Sequence, residues 1–178
     1  MNYFDTLTAA MTMLSEDPRT IFIGQTVKWD GHALFKTLKG VPEEKRTEFP
    51  VAEDFQMGFS TGMALEGFIP VSIFPRWDFL LLASNQLVNH LDKAAAVSGG
   101  KLGPNVIIRT SVGSTIPLNP GPQHCQDYTE AFKLMLHTVE VIDLQETDQI
   151  LPAYEKALHR MDGKATLLVE HANYYNSK

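Results

Sequence analysis

A chain of 178 residues, 44% apolar and 20% charged, is long enough to bury the core of one ordinary globular domain. Its formal charge of −6, with Lys36, Lys39, Lys45 and Arg46 diluted by Glu43 and Glu44, excludes a nucleic-acid-binding surface, and no apolar run approaches the ~20 residues of a membrane span. The single cysteine, Cys125, excludes an internal disulfide, and the amino terminus lacks a signal-peptide pattern, so the expected location is cytoplasmic.

Residues 2–16 place Phe4, Leu7, Ala10, Met11 and Leu14 on one face of a helix that Asp17-Pro18 ends. TIFIG at 20–24 reads as a buried strand, and 25–48 as a long connection of the kind that carries function. Phe49 must be extended, because the proline after it disfavours α geometry. A helix then runs from about Glu53 to Gly67, with Phe55, Phe59 and Met63 at helical spacing. Gly58 and Gly62 each cost it roughly 1 kcal/mol relative to alanine, which implies that another helix packs closely there.

A second strand is expected at 69–74 and a helix at 77–97, broken by SGGKLGP at 98–104. A third strand follows at 105–110, then a loop rich in Gly and Pro at 112–126 and a helix at 127–137. A strand at 139–144, a helix at 148–160 with Pro152 in its first turn, and a last strand at 165–170 complete the chain. Alternating strands and helices predict an α/β fold: a three-layer αβα, doubly wound, mainly parallel sheet, in one domain over 1–178. Ligands of such sheets bind beyond the carboxyl ends of the strands. Glu53 at the mouth of a helix, Phe79 after a strand and His124 in a loop after another can all converge there.

Each of these residues also has an ordinary structural role. A glutamate in a first helical turn is favoured by the helix dipole, a phenylalanine packs a core, and a loop histidine is often incidental. His32 lies in the long connection and can approach the same edge or stay on the surface. Asp54 and Asp78 read as solvated or capping acids, Cys125 as a small packing residue without a base, and no His/Asp/Glu spacing suits a metal. No Gly-x-Gly-x-x-Gly follows a strand, so a nucleotide-binding module is not supported.

Val51-Ala52-Glu53, four residues, Gly58, three residues, Gly62 resembles the helix of the transketolase-like pyrimidine-binding domain of thiamine diphosphate enzymes. The nearest likeness is to the amino-terminal domain of the beta subunit of the 2-oxoacid dehydrogenase decarboxylating components. Pro70-Val-Ser-Ile-Phe-Pro-Arg-Trp-Asp-Phe79 resembles the family's next strand and its aromatic residue, at a spacing (79 − 53 = 26) that needs no insertion. Asn85–Lys93 resembles the helix after it, and Gly121-Pro-Gln-His124 falls where the family has an active-site histidine. The resemblance implies that Glu53 bonds a ring nitrogen of the cofactor's aminopyrimidine and that Phe79 stacks on that ring. It also implies that His124 transfers protons to and from the substrate-derived adduct.

The same resemblance implies thiamine diphosphate as cofactor, with Mg2+ and the diphosphate held by a partner subunit, since these 178 residues contain no Gly-Asp-Gly…Asn motif. It implies a hetero-oligomer, two copies of each chain, acting on a small keto substrate by ketol or acyl transfer or by oxidative decarboxylation. The family's carboxyl-terminal domain is expected to be absent, the chain closing on HANYYNSK. Three stretches depart from the pattern: Gln25-Thr26 replaces an acidic pair, residues 111–122 replace a glycine-rich run, and Asp143-Leu-Gln145 replaces Pro-Ser-Thr. The alternative is a non-catalytic interaction or regulatory subunit that has kept the fold.

Overall fold

In the computed structural model the described residues are 1–176; Ser177 and Lys178, the end of the closing tail, lie outside them. Six strands form: β1 (Thr20–Gly24), β2 (Arg46–Glu48), β3 (Ile69–Ile73), β4 (Ile107–Val112), β5 (Glu140–Asp143) and β6 (Thr166–His171). They pair in the order β2-β1-β3-β4-β6-β5, and every pairing is parallel. β1, β3, β4 and β6 are almost wholly buried, as strands of a sheet covered on both faces must be. The expected three-layer arrangement is therefore the one observed.

Helices α1 (Tyr3–Glu16) and α7 (Thr147–Leu158) cover one face, where Tyr3, Leu7, Leu14, Phe22, Tyr154 and Leu168 form the core. The other face carries α3 (Glu53–Leu65), the helical stretch after β3, and α6 (Thr129–Met135), over Met57, Phe74, Trp77, Leu80, Ile108 and Phe132. Between the layers sits a polar knot. Arg109 and Glu170, both fully buried, form an ion pair through Arg109 Nε and Nη2, and Glu170 also accepts from the Tyr154 hydroxyl at 2.7 Å and from the Tyr175 hydroxyl. Burial alone would lower the Arg109 pKa, but the Glu170 charge and hydrogen bond, with the Tyr154 and Tyr175 hydroxyl groups, together outweigh it and raise the pKa.

The structure departs from the sequence expectations in four places. The connection 25–48 contains a short helix α2 (Ala33–Lys36), a 3-10 turn (Glu43–Lys45) and the edge strand β2. The helix expected over 77–97 is divided into α4 (Trp77–Leu80), a 3-10 turn (Leu81–Ala83), a π-helical segment (Gln86–Leu91) and α5 (Ala94–Val97). β4 lies two residues later than expected. Pro152 is the sixth residue of α7 rather than part of its first turn, on an exposed side where the missing N–H leaves a carbonyl to water.

Helix α3 is oriented contrary to its apolar spacing. Its buried residues are Glu53, Gln56, Met57 and Ser60, whereas Phe55 is 57% exposed and Phe59 42%. Gln56 Nε2 donates to Ser72 Oγ at 3.1 Å and to the Ile73 carbonyl at 3.0 Å, and Ser60 Oγ lies 3.0 Å from Ser72 Oγ. This polar seam fixes α3 on β3. Outside, Phe49, Phe55 and Phe59 pack on one another at centroid separations of 5.2 to 6.0 Å, Phe49 and Phe55 stacked and the other two pairs tilted. The two glycines divide their roles: Gly58 faces the Gln86 side chain of this chain, and Gly62 faces open space beside Phe59, Met63 and Phe68.

Candidate active site

β1, β3 and β4 are neighbours, and the loops leaving their carboxyl ends build the site. The sheet order reverses between β1 and β3, which makes the crevice over these two strands the switch point where ligands of doubly wound sheets bind. β1 and β3 approach so closely at their ends that a Cβ on Gly24 would lie 2.4 Å from the Ile73 carbonyl oxygen. The chain then turns through Thr26, at φ 54°, a conformation uncommon for a β-branched residue. Glu48, at the end of β2, holds that turn by accepting the backbone N–H groups of Thr26, Val27 and Lys28 at 2.6, 2.9 and 2.9 Å.

The turn delivers Gln25, whose Nε2 donates to Glu53 Oε1 at 3.0 Å. Glu53 opens α3 and is only 4% exposed, so its first-turn position is combined with burial that a purely solvated acid would not have. Its apolar setting differs from the expectation, because Val51 and Phe55 turn outward and Gln25 faces it instead. The other carboxylate oxygen of Glu53 takes no hydrogen bond among the described residues, which leaves it open to an outside partner.

The loop after β3 carries Arg76, helix α4 carries Phe79, and the loop after β4 carries His124. Arg76 Nη1 donates to the His124 carbonyl at 2.7 Å. Gly113, just past β4, permits that contact, since a Cβ there would lie 1.8 Å from the same carbonyl oxygen. Phe79 and His124 meet edge to face, ring centroids 5.7 Å apart. Both line a cavity of about 310 Å³ together with Gln25, His32 and Arg76. Phe79 and His124 thus share one cavity, and Glu53 joins it through Gln25.

His32 caps α2, its Nδ1 accepting the Leu34 N–H at 3.0 Å. Burial pushes its pKa down to about 4; the Gln25 backbone carbonyl opposes this, while the Arg109 and Arg76 charges add to it. His32 is accordingly neutral at neutral pH. Two ring nitrogens at the cavity, His32 Nε2 and His124 Nδ1, are buried with no hydrogen-bond partner. Asp78 corrects a sequence expectation: both of its carboxylate oxygens are buried and unpartnered, so it is neither solvated nor capping. Cys125 is half-buried against the Ser114 carbonyl, and Asp54 is exposed, as expected. Among the described residues no group of acidic, His or Cys side chains could hold a metal ion, and no helix is long and apolar enough to cross a membrane.

Sequence reasoning missed Gln25 as a partner of Glu53, and Arg76 altogether. The position of Gln25 directly after the strand-ending Gly24 was the available signal for the first; nothing in the sequence marked the second.

No protein-family model matches the chain. It is 28% identical over 177 residues to the pyruvate dehydrogenase E1 component subunit beta-4, chloroplastic, of Oryza sativa subsp. japonica, an alignment covering 96% of this chain and 42% of the relative. It is 28% identical over 172 residues to the corresponding beta subunit of Staurastrum punctulatum, covering 93% of this chain and 50% of the relative. With the 3-methyl-2-oxobutanoate dehydrogenase subunit beta of Mycobacterium tuberculosis it shares 28% identity over 126 residues, 67% of this chain and 34% of that one. Among solved structures, a split-gene transketolase described as an inactive beta4 tetramer superposes with a TM-score of 0.70 at 17% identity, over 96% of this chain and 51% of that chain. The chain spans between about a third and about half of the length of these proteins.

Proposed function

Because this chain has the transketolase-like fold of the pyrimidine-binding type and is a relative of the beta subunits of 2-oxoacid dehydrogenases, we propose that it is the pyrimidine-binding subunit of a split thiamine diphosphate enzyme. The observation that carries the reading is the convergence of Phe79, His124 and the Gln25–Glu53 pair over the carboxyl ends of β1, β3 and β4. The residues present fit an aromatic nitrogen heterocycle: a buried carboxyl group with one oxygen held and one open, beside a cavity walled by an aromatic ring.

Thiamine diphosphate, when bound, supplies the electron sink that stabilises carbanionic character next to a carbonyl carbon. Glu53 would hold a proton on its open oxygen against the heterocycle, with Gln25 fixing the carboxyl orientation through Oε1. Phe79 would orient the ring by stacking, as aromatic pairs prefer offset or edge contacts. His124, its backbone pinned by Arg76, would move protons at its ring nitrogens to and from the substrate. On this reading a diphosphate-binding domain on a partner subunit would hold the magnesium and diphosphate and complete the centre, in a hetero-oligomer of two plus two chains. The exposed Phe55, Phe59 and Phe68 are suited to being covered in such an assembly. A small keto substrate and a cytoplasmic location belong to the same reading.

Titration calorimetry tests it. The purified chain is expected to bind thiamine diphosphate with Mg2+ weakly or not at all, and to bind it in complex with a subunit carrying Gly-Asp-Gly…Asn. Micromolar, magnesium-dependent binding by the chain alone would overturn the split site. The rival, a non-catalytic subunit that has kept the fold, is favoured by the amide at position 25 where the resembling family has an acid; it requires that the complex be indifferent to Glu53→Gln.

A further inference from the structure

Two cavities meet at His32, Pro75 and Arg76. One, of about 310 Å³, holds Phe79 and His124; the other, of about 290 Å³, continues away from them past Lys36, Ser111 and Tyr175. The chain has 21 acidic residues against 15 Lys and Arg, yet no carboxylate lines either cavity. The charged side chains there are Arg76 and Lys36. Arg76 makes no ion pair among the described residues, and its identified hydrogen bond is the one to the His124 carbonyl. A guanidinium left without a counter-charge in a pocket free of acids is an electrostatic site for an anion.

His32 adds a directed donor. Its Nδ1 accepts the Leu34 N–H, so that nitrogen carries no proton. A neutral imidazole bearing no proton on Nδ1 must carry it on Nε2. Nε2 is buried and makes no well-formed hydrogen bond, although the Gln25 backbone carbonyl lies near enough to favour a proton on the ring. A buried donor without an acceptor is costly, and the cavity on which it borders is where an acceptor can arrive.

We propose that His32 and Arg76 form the subsite that receives an anionic oxygen group of the substrate, a carboxylate or a phosphate, with His32 Nε2–H and the Arg76 guanidinium as its donors. The inference rests on reading this cavity as the reacting one. It assigns His32 a role as donor rather than base, and it makes Arg76 join the anion to the backbone of His124, so that the anchored end of the substrate and the proton-transferring residue share one positioning group.

Nitrogen-15 NMR of the histidine rings in the purified chain tests this without cofactor or partner. His32 is expected as the Nε2–H tautomer, and inorganic phosphate or acetate should shift its Nε2 resonance where chloride at matched ionic strength does not. A response to phosphate alone points to a phosphorylated substrate, and one to acetate alone to a carboxylate; either supports the subsite. Arg76→Met should weaken the response about tenfold or more, and Arg76→Lys, which keeps the charge but not the fork, by less. If Arg76→Met does not fold, His32→Asn, which can keep the α2 cap, should still lose the selective anion response seen at the neighbouring Leu34 amide. A proton found on Nδ1, or equal responses to phosphate, acetate and chloride, would overturn the proposal. Neither result would touch the roles of Glu53 and Phe79, which the cofactor titration examines separately.

Discussion

The neutrality of His32 should be visible as an acid limb in the stability of the protein. In the unfolded chain its imidazole titrates near the ordinary 6.5, and in the folded chain burial holds it at about 4. Between these values the unfolded state binds a proton that the folded state refuses, so stability is fully present above pH 6.5 and falls as the pH drops toward 4. The gap corresponds to roughly 3.5 kcal/mol at about 1.4 kcal/mol per pKa unit, of which about 3 is lost by pH 4. Asparagine at position 32 is a strong helix cap whose side-chain oxygen can take the Leu34 N–H in place of Nδ1, but it does not titrate. Urea unfolding of wild type and His32→Asn from pH 7 to pH 4 isolates the group, because the other five histidines are common to both chains. The wild type should lose about 3 kcal/mol relative to the variant over that range. Two free-energy curves that stay parallel would refute the buried neutral imidazole, and with it the tautomer argument for the anion subsite.

Glu170→Gln keeps the shape of the buried knot but leaves the Arg109 charge uncompensated, and should destabilise the chain by about 3–5 kcal/mol in the same unfolding assay. Burial alone would raise the pKa of the fully buried Asp92, but the Lys93 ammonium and the backbone N–H groups of Val139, Thr138 and His137 hold it at about 2. Its contribution, roughly 2 kcal/mol, should be present above about pH 4 and lost as the pH falls toward 2, a second limb that Asp92→Asn removes. In the reconstituted complex, Glu53→Gln should slow hydrogen–deuterium exchange at the cofactor's thiazolium carbon by about 10² to 10⁴, whereas His124→Ala should leave that exchange intact and lower turnover. Gly62→Asp, on the open side of α3, should weaken assembly measured by light scattering without lowering the unfolding free energy of the isolated chain by more than about 1 kcal/mol.

Much of the architecture was legible because five of the six strands are apolar runs between turn residues, and burial on both faces of a parallel sheet demands that pattern. β2 was not legible. Arg46-Thr-Glu48 is a polar edge strand whose one neighbour is β1, and its role is to place the Glu48 carboxylate under the turn at Thr26, a tertiary requirement without periodicity. The stretch 77–97 is helical by composition throughout, and nothing local announces that it divides into turns of different pitch. Glu53, Phe79 and His124 were reached through resemblance to a family; their residue types alone left the ordinary readings open. Arg76 and Gln25 act through atoms brought from 48 and 28 residues away, so only the folded chain reveals them.

Helix α3 separates two demands that usually compete on one surface. Its hold on the sheet is a hydrogen-bonded seam, Gln56 and Ser60 against Ser72 and the Ile73 carbonyl, and that seam sets where Glu53 stands. Its aromatic side lies outside that seam, with Phe55 and Phe59 packed on Phe49 instead. Substitutions at Phe55, Phe59 or Phe68 would change the exposed surface while leaving the hydrogen bonds of the seam in place. A helix gripped by hydrogen bonds on its inner side is free to vary on its outer side, so what covers that side can change while the sheet keeps its hold.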